Sequence, residues 1–485
     1  MTSFDSFLAA ANAFLWQNTV LFIILGTGIV FTIWSRFCQF RALTHGVQAI
    51  RGRYDHKGDP GAISHFQALS AALSATVGLG NIGGVAMAIS LGGPGAVFWM
   101  WVVGFFGMAL KTTEVTLAML YRNTDDPENP HGGTMWVISK ALAEKGSGLG
   151  KALGVLFCLT LLVMVVTGGN MFQAWNVGNI TQKYVGVPSI VSGVLLAVIV
   201  GLVIVGGIHR IGRVAGMLVP FMIIVYFIGA VYVLSVHASE IPAMFALIVR
   251  SAFSPAEASG AFIGGTMGYA FLYGMKRAIF SNEAGQGTSP IAHAAARTDE
   301  PVREGVVAGL EPFIDTIFVC TLTALVIIVT GTWNRPPEAS LPVDTRPALV
   351  GPGLWTLPEQ AAPNRLFGEW EGGESVFAVL RGDPNPQSGN DLHRLTGQVA
   401  MGDAGPVLRW DSLASRMEPQ LNDGGVYVSY VGATLTAVAF DSVLPGLGRW
   451  VVTLAVWLFA ISTMISYSYY AEQGVVFLGG ERWLT

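Results

Sequence analysis

The chain is 485 residues long, 52% hydrophobic and only 12% charged, with a formal net charge of −4 and a mean hydropathy of +0.54. Soluble globular proteins carry about twice that charge fraction, so a soluble fold is excluded. The near-neutral balance shows no basic footprint, and no nucleic-acid partner is expected. What remains is an all-α polytopic membrane protein surrounded by a lipid bilayer.

The first apolar stretch, Asn18–Phe37, has no Lys or Arg before it and so lacks the basic start of a signal peptide. Arg36, Arg41, Arg51, Arg53 and Lys57 follow it, which places the amino terminus outside and this loop in the cytoplasm. Further stretches of spanning length are Ala62–Leu91, Gly95–Leu120, Ala152–Ala174, Pro188–Gly207, Val214–Val236, Ala261–Phe280, Val306–Thr330 and Trp450–Ser468. The inner loops then carry many basic residues, among them Arg122, Lys151, Arg213 and Arg303, and the short outer loops only Lys183 and Arg250. This alternation implies a multi-pass protein of the cell inner membrane.

The second stretch holds the most informative residues, Gly78-Leu79-Gly80-Asn81-Ile82-Gly83-Gly84, at its middle. Glycines weaken a helix, and a span can leave helical geometry only where protein or water lines the opened backbone. A broken helix that holds a ligand and an ion near the midplane is the reading these residues favour. Gly78-x-Gly80-x-x-Gly83 also spells a dinucleotide fingerprint, but its flanks are one continuous apolar run rather than a strand and a helix. Close helix packing through Gly80-x-x-x-Gly84 stays open as an alternative.

In the next span Lys111 and Glu114 lie at i, i+3 and are expected to pair with each other. Cys38, Cys158 and Cys320 lie far apart in or beside spans, which suits core filling rather than a metal site or a disulfide. A second interrupted span follows in Ala261–Tyr269, with Gly264, Gly265, Thr266 and Gly268. Two such breaks offer half-helix amino ends of about +0.5 charge for a carboxylate, and freed carbonyls for a cation. Asp315 has no local basic partner; it is expected either at a second cation position with Asn81 or against the loop Ser281–Gly287. From Trp333 to Gly425 the composition turns polar and rich in Pro and Gly, with strand-like runs such as Ser375–Leu380. This extracytoplasmic insertion reads as a small β-rich domain or a long loop, and its Arg381-Gly382-Asp383 as coincidence.

The segments Ala75–Asn81, Leu91–Trp101, Lys276–Gly287 and Ser466–Tyr470 resemble the alanine or glycine:cation (sodium:alanine) symporter family. The resemblance covers the chain outside the insertion. It implies a LeuT-like inverted-repeat bundle with an extra amino-terminal helix. On that pattern residues 1–40 are the extra helix and 41–236 the first repeat of five spans. The second repeat starts over 237–332, is interrupted by the 333–425 insertion, and resumes over 426–485 with a re-entrant or outer helix and the last span. The family's pattern would then continue for two more helices, whereas only Tyr469–Thr485 follows the last span, so a shortened or truncated second repeat is expected.

The resemblance also implies site residues. The backbone amides of Leu79 and Gly80 would bind the substrate carboxylate, with Thr76, Asn81, Gln173, Gly265, Thr266, Gly268, Thr463 and Tyr467 completing the substrate site. Gln173 could equally serve as interhelical glue. At Tyr467 the family usually has Trp. The carbonyls of Ser74, Val77 and Phe459 with the hydroxyls of Ser462 and Thr463 would hold sodium, and Asp315 a second cation. The expected function is sodium-coupled symport of a small neutral amino acid, alanine or glycine, by alternating access, with sodium as coupling ion and no cofactor. A proton-coupled permease, a non-transporting sensor or an inactive truncated relative are the alternatives. No residue grouping has catalytic spacing, so an enzyme is not expected.

Overall fold

The computed structural model describes residues 17–56, 58–254, 260–264, 267–366, 368–384, 390–403, 405–430 and 432–479. Helices α1 (Asn18–Trp34) and α2 (Cys38–Ile50) meet at 72°, around Arg36 and Phe37 with φ of 53° and 60°. The second apolar stretch is likewise split. Helix α3 (His65–Thr76) starts at a capping box, in which Gln67 N donates to Ser64 Oγ and Ser64 N to Gln67 Oε1. It ends before the glycines, and α4 (Gly80–Gly92) resumes at 51° to it.

Then follow α5 (Gly95–Tyr121), α6 (Thr134–Glu144), α7 (Leu149–Val185), α8 (Ser189–Ile204), α9 (Gly207–Val236) and α10 (Ile241–Ala252). Helix α7 runs for 37 residues, well beyond the apolar limits Ala152–Ala174, through a π-helical stretch at Val165–Met171 to the left-handed Gly186. Helix α10 has 12 residues, below spanning length, which is why apolar length does not reveal it. Past the second break come α11 (Met267–Asn282), α12 (Pro290–His293) and α13 (Pro301–Val329). Residues 261–264 are not helical, and Gly265 and Thr266 lie outside the described residues.

The insertion is built of strands, so the chain is mostly helical rather than all-α. They are β1 (Ala339–Ser340), β2 (Ala348–Gly351), β3 (Leu354–Thr356), β4 (Gln360–Ala361), β5 (Ser375–Arg381), β6 (Leu392–Gly402), β7 (Gly405–Trp410), β8 (Leu413–Ala414) and β9 (Gln420–Val428). The larger sheet has the order β1-β9-β5-β6-β7-β4 and the smaller β2-β3-β8, with every pair antiparallel. Central strand β5 shows the period of two that a pleat imposes. Val376, Ala378 and Leu380 face the insertion's own core with Leu395, Val399 and Val426. Phe377 and Val379 face the other way, against Ala261 and Ile263 of the second break. Helices α14 (Ala433–Asp441) and α15 (Gly448–Phe477) complete the order.

The main core gathers Val77, Leu79 and Ile82 of the first break with Met275 and Ile279 of α11, Phe440 of α14 and Val456 and Phe459 of α15. The outer faces are apolar as well: Ile190, Val194, Val198 and Leu202 of α8 are all exposed. Apolar surface of this extent is stable only against lipid. With helices long enough to cross a bilayer, this makes the chain a multi-pass membrane protein.

Candidate functional site

The first break is organised by one side chain. Val77 N still donates to Leu73 O at 2.7 Å, but Gly78 N donates to Asn81 Oδ1 at 2.8 Å. Asn81 therefore stands in for the missing helical acceptor and spaces the two half-helices. Leu79 and Gly80 sit where α4 begins, and the first amides of a helix lack intrahelical acceptors. Thr76, Gly78, Leu79 and Asn81 are buried, whereas Gly80 is half-buried. Close backbone packing belongs to Gly83, where an added Cβ would lie 2.7 Å from Ala433 N. At Gly80 it would stand 3.5 Å from the Phe280 ring, an ordinary contact.

Helix α15 runs beside α3 and meets its end through hydroxyls. Ser74 Oγ donates to Ser462 O at 2.6 Å, and Ser462 Oγ to Phe459 O at 2.9 Å and Ser74 O at 3.3 Å. Thr463 Oγ1 is 3.5 Å from Ala75 O, and a Cβ added at Gly78 would lie 2.8 Å from it. Ser466 Oγ donates to Ala71 O at 2.8 Å one turn further on. Of the expected sodium set, Ser74, Phe459, Ser462 and Thr463 are gathered in one place, with Ala75 O added, and Val77, two residues after Ala75, is fully buried. Such a cluster of carbonyl and hydroxyl oxygens suits a hard monovalent cation.

Asp315 lies in a π-helical stretch of α13, Phe313–Val319, and is fully buried. Its Oδ1 accepts from Asn81 Nδ2 at 2.5 Å, and its Oδ2 from Ser281 Oγ and Thr316 Oγ1, each at 2.8 Å. Asn81 Nδ2 also reaches Ser281 Oγ at 3.1 Å and Cys320 Sγ at 3.4 Å. One carboxylate therefore ties the first break to the end of α11, so Asn81 and Ser281 share it. Cys320 joins a polar node instead of merely filling core.

Gln173 is buried on α7, and its Oε1 has no hydrogen-bond partner among the described residues. It stands four residues after Gly169, on the same helix face. A Cβ at Gly169 would be 2.8 Å from the Tyr467 ring, so that face turns toward α15. A buried acceptor without a partner is costly and marks a place where a ligand N–H can bind. Tyr467 donates its hydroxyl to Glu283, which also accepts from Thr288 Oγ1. Gly268 is exposed in the first turn of α11 and is not brought to this cluster.

Sequence reasoning missed a second buried assembly. Lys111 Nζ pairs with Glu311 Oε2 of α13 at 3.4 Å, and both residues are fully buried. The local Lys111–Glu114 pair is thus not the ion pair that forms, because Glu311 presents its carboxylate to α5 from the facing helix. Glu311 Oε1 also accepts from Ser289 Oγ at 2.6 Å and lies 2.8 Å from His293 Nε2. His293 and His65 each contact one oxygen of Glu304 through Nδ1, and His65 Nε2 is 3.8 Å from Asp55 on the surface. Burial alone would lower the His293 pKa, but the bonds to Glu304 and Glu311 outweigh it and raise it to about 9. The one sequence signal for this chain is that Glu304 and Glu311 share a face two turns apart.

The sequence profile of the sodium:alanine symporter family matches residues 1–349 and 421–485. The sodium/alanine symporter AgcS of Methanococcus maripaludis is 42% identical over 328 residues, which are 68% of this chain and 71% of the relative. The putative sodium/proton-dependent alanine carrier protein YrbD of Bacillus subtilis is 35% identical over 477 residues, 98% of this chain and 79% of the relative. The probable sodium/glutamine symporter GlnT of Bacillus subtilis is 32% identical over 364 residues, 75% of this chain and 74% of the relative. The chain belongs to the sodium:alanine symporter family. It is therefore a transporter rather than an enzyme.

Proposed function

We propose that this family member carries a small neutral amino acid, alanine or glycine, across the inner membrane together with sodium, by alternating access. The observation that carries the reading is the meeting of the Ser74, Ala75 and Phe459 carbonyls with the Ser462 and Thr463 hydroxyls beside the first break. Sodium is coordinated there. The substrate carboxylate lies against the amides of Leu79 and Gly80, drawn by the positive end of α4. Gln173 Oε1 accepts from the substrate ammonium. Thr76, Asn81, Thr463 and Tyr467 bound the remaining volume. The architecture of this reading is the LeuT-like inverted repeat with α1 as the extra helix, and the amino terminus and insertion lie outside.

Alanine rather than glutamine is the proposed substrate because the printed names of the Methanococcus relative and of one Bacillus relative include alanine. The test is uptake of labelled alanine into proteoliposomes under an inward sodium gradient, with glycine and glutamine as competitors. Uptake that is equally strong in choline removes the sodium reading. Binding without flux replaces the transporter by a sensor.

A proton is the second coupling ion in an alternative reading. It is favoured by the buried chain from His65 through Glu304, His293 and Glu311 to Lys111, and the Bacillus relative's printed name includes proton dependence. An acid-outside gradient that drives uptake without a sodium gradient supports it.

A further inference from the structure

Between Ser35 and Tyr54 the chain carries Arg36, Arg41, His45, Arg51 and Arg53 and not one Asp or Glu. Helix α2 occupies most of this stretch and leaves α1 at 72°. With α1 across the bilayer, α2 therefore runs close to the plane of its surface. Trp34, Phe37, Phe40 and Leu43, three residues apart, are all exposed beside the basic groups. A basic face next to an aromatic and aliphatic stripe is the pattern of a helix seated in the headgroup layer. The other face of α2 is fixed to the bundle. A Cβ added at Gly46 would lie 2.7 Å from Val306 O, and one at Gly309 would lie 2.9 Å from the Ala42 Cβ. Beside this contact α2 and the start of α13 enclose a cleft of about 320 Å³. Arg41 and His45 line it from α2, Val302, Arg303 and Val306 from α13, and Tyr54 from the loop after α2. Arg303 is already committed: it pairs with Glu300 at 3.2 Å and Asp59 at 3.6 Å and donates to Tyr54 O at 3.0 Å. Arg41 forms no ion pair among the described residues. The cleft thus offers one uncommitted guanidinium, with an imidazole four residues on, next to the apolar side chains of Val302 and Val306.

We infer that this cleft holds the headgroup of an anionic phospholipid of the inner leaflet, with its phosphate on Arg41 and His45 and its glycerol end against Val302 and Val306. A guanidinium binds a phosphate through paired N–H donors, and basic pockets between spans on the inner side suit such headgroups. A soluble phosphate would make the same charged contact and leave the apolar side of the cleft wet, whereas a lipid covers both. The exposed stripe from Trp34 to Leu43 brings the cleft to the depth at which lipid phosphates lie. The inference needs only that the chain is a multi-pass membrane protein. It does not depend on what the protein carries or on the coupling ion.

The test uses the full chain, stripped of lipid in a neutral detergent and titrated with short-chain phosphatidylglycerol. Native mass spectrometry counts the retained lipid while thermal unfolding is followed. Binding should saturate and should raise the melting temperature. Arg41→Gln should weaken it about fivefold. Arg51→Gln removes the same charge outside the cleft, about 15 Å further along α2, and should change affinity less than about twofold. Val302→Trp leaves every basic residue in place but fills the cleft, and should weaken binding at least as much as Arg41→Gln. Arg41 and Val302 are both exposed, so the lipid-free variants should melt with the parent, and Val302→Trp decides the matter by itself where Arg41→Gln does not fold. Equal losses from Arg41→Gln and Arg51→Gln would show diffuse attraction and overturn the site. Parent-like binding by Val302→Trp overturns it as well, and so does phosphatidylcholine that binds as tightly as phosphatidylglycerol. Glycerol phosphate that displaces the lipid at equal concentration would make this a site for a soluble anion, and the lipid assignment would fall.

Discussion

Replacing Gly80 by Ala separates the ligand role of the first break from its structural role. The added methyl meets its nearest neighbours, the Phe280 ring and Ser281 Cα, at 3.5–3.7 Å, which the fold accommodates without movement. Gly80 opens the π-helical stretch Gly80–Gly84, and Ala is favoured over Gly in a helix by about 0.5–1 kcal/mol, so Gly80→Ala should leave thermal stability in detergent unchanged or slightly raised. Gly83→Ala is the contrast. Its methyl would sit 2.7–2.8 Å from the backbone of Gly432 and Ala433, which cannot rotate away, and such overpacking costs about 1–3 kcal/mol. If the Gly80 amide binds the substrate carboxylate, the new methyl crowds that approach. A hydrogen bond to a charged group contributes about 1.5–3 kcal/mol, equivalent to about 10- to 150-fold in Kd. Equilibrium binding of labelled alanine in sodium buffer, run beside thermal unfolding, reads both effects. Gly80→Ala with wild-type affinity, or destabilised as much as Gly83→Ala, refutes the assignment.

Three further outcomes are expected. Thr463→Val should reduce the sodium dependence of alanine binding more than it reduces protein yield, whereas Ser466→Ala, which removes a bond of the same kind to Ala71 O, should leave that dependence intact. Glu311→Gln, which breaks the buried pair with Lys111, should cost about 3–5 kcal/mol, and Glu114→Gln much less; equal losses in melting temperature would restore the local pair. Because the His293 pKa is raised from 6.5 to about 9, its contribution to stability is full below about 6.5 and is lost as pH rises through about 9. Melting temperature against pH should show that step in the parent and not in His293→Gln.

What the sequence made legible was what local chemistry dictates. Glycines and an Asn inside an apolar run, Gly78–Gly84, point to the break, which the structure places between Thr76 and Gly80. Ser375–Leu380 is visible as strand through its β-branched and aromatic residues, and the polar composition around it separates the insertion from the spans. Ser462 and Thr463 carry a weak signal alone, since paired hydroxyls often bond only the preceding turn; their meeting with Ser74 comes from the tertiary fold. The Glu304 chain was illegible for the same reason, as His65 lies 239 residues from Glu304. Helix α10 is too short for a hydropathy criterion, and the full length of α7 continues past its apolar part into polar residues such as Asn176 and Gln182.

The bond between Ser74 and Ser462 joins residues 388 apart in sequence. At about 5–20 residues per second during synthesis, the ribosome takes roughly 20–80 seconds between making one partner and the other. During that interval the hydroxyl and carbonyls at the end of α3 sit in the bilayer without α15, and each unpaired polar group costs several kcal/mol in hydrocarbon. Water, the membrane-insertion machinery or a provisional neighbour must satisfy them. Ser74→Ala removes one such unpaired hydroxyl, so its cost falls on the finished fold, where Ser462 O loses its donor, and not on this interval of biogenesis.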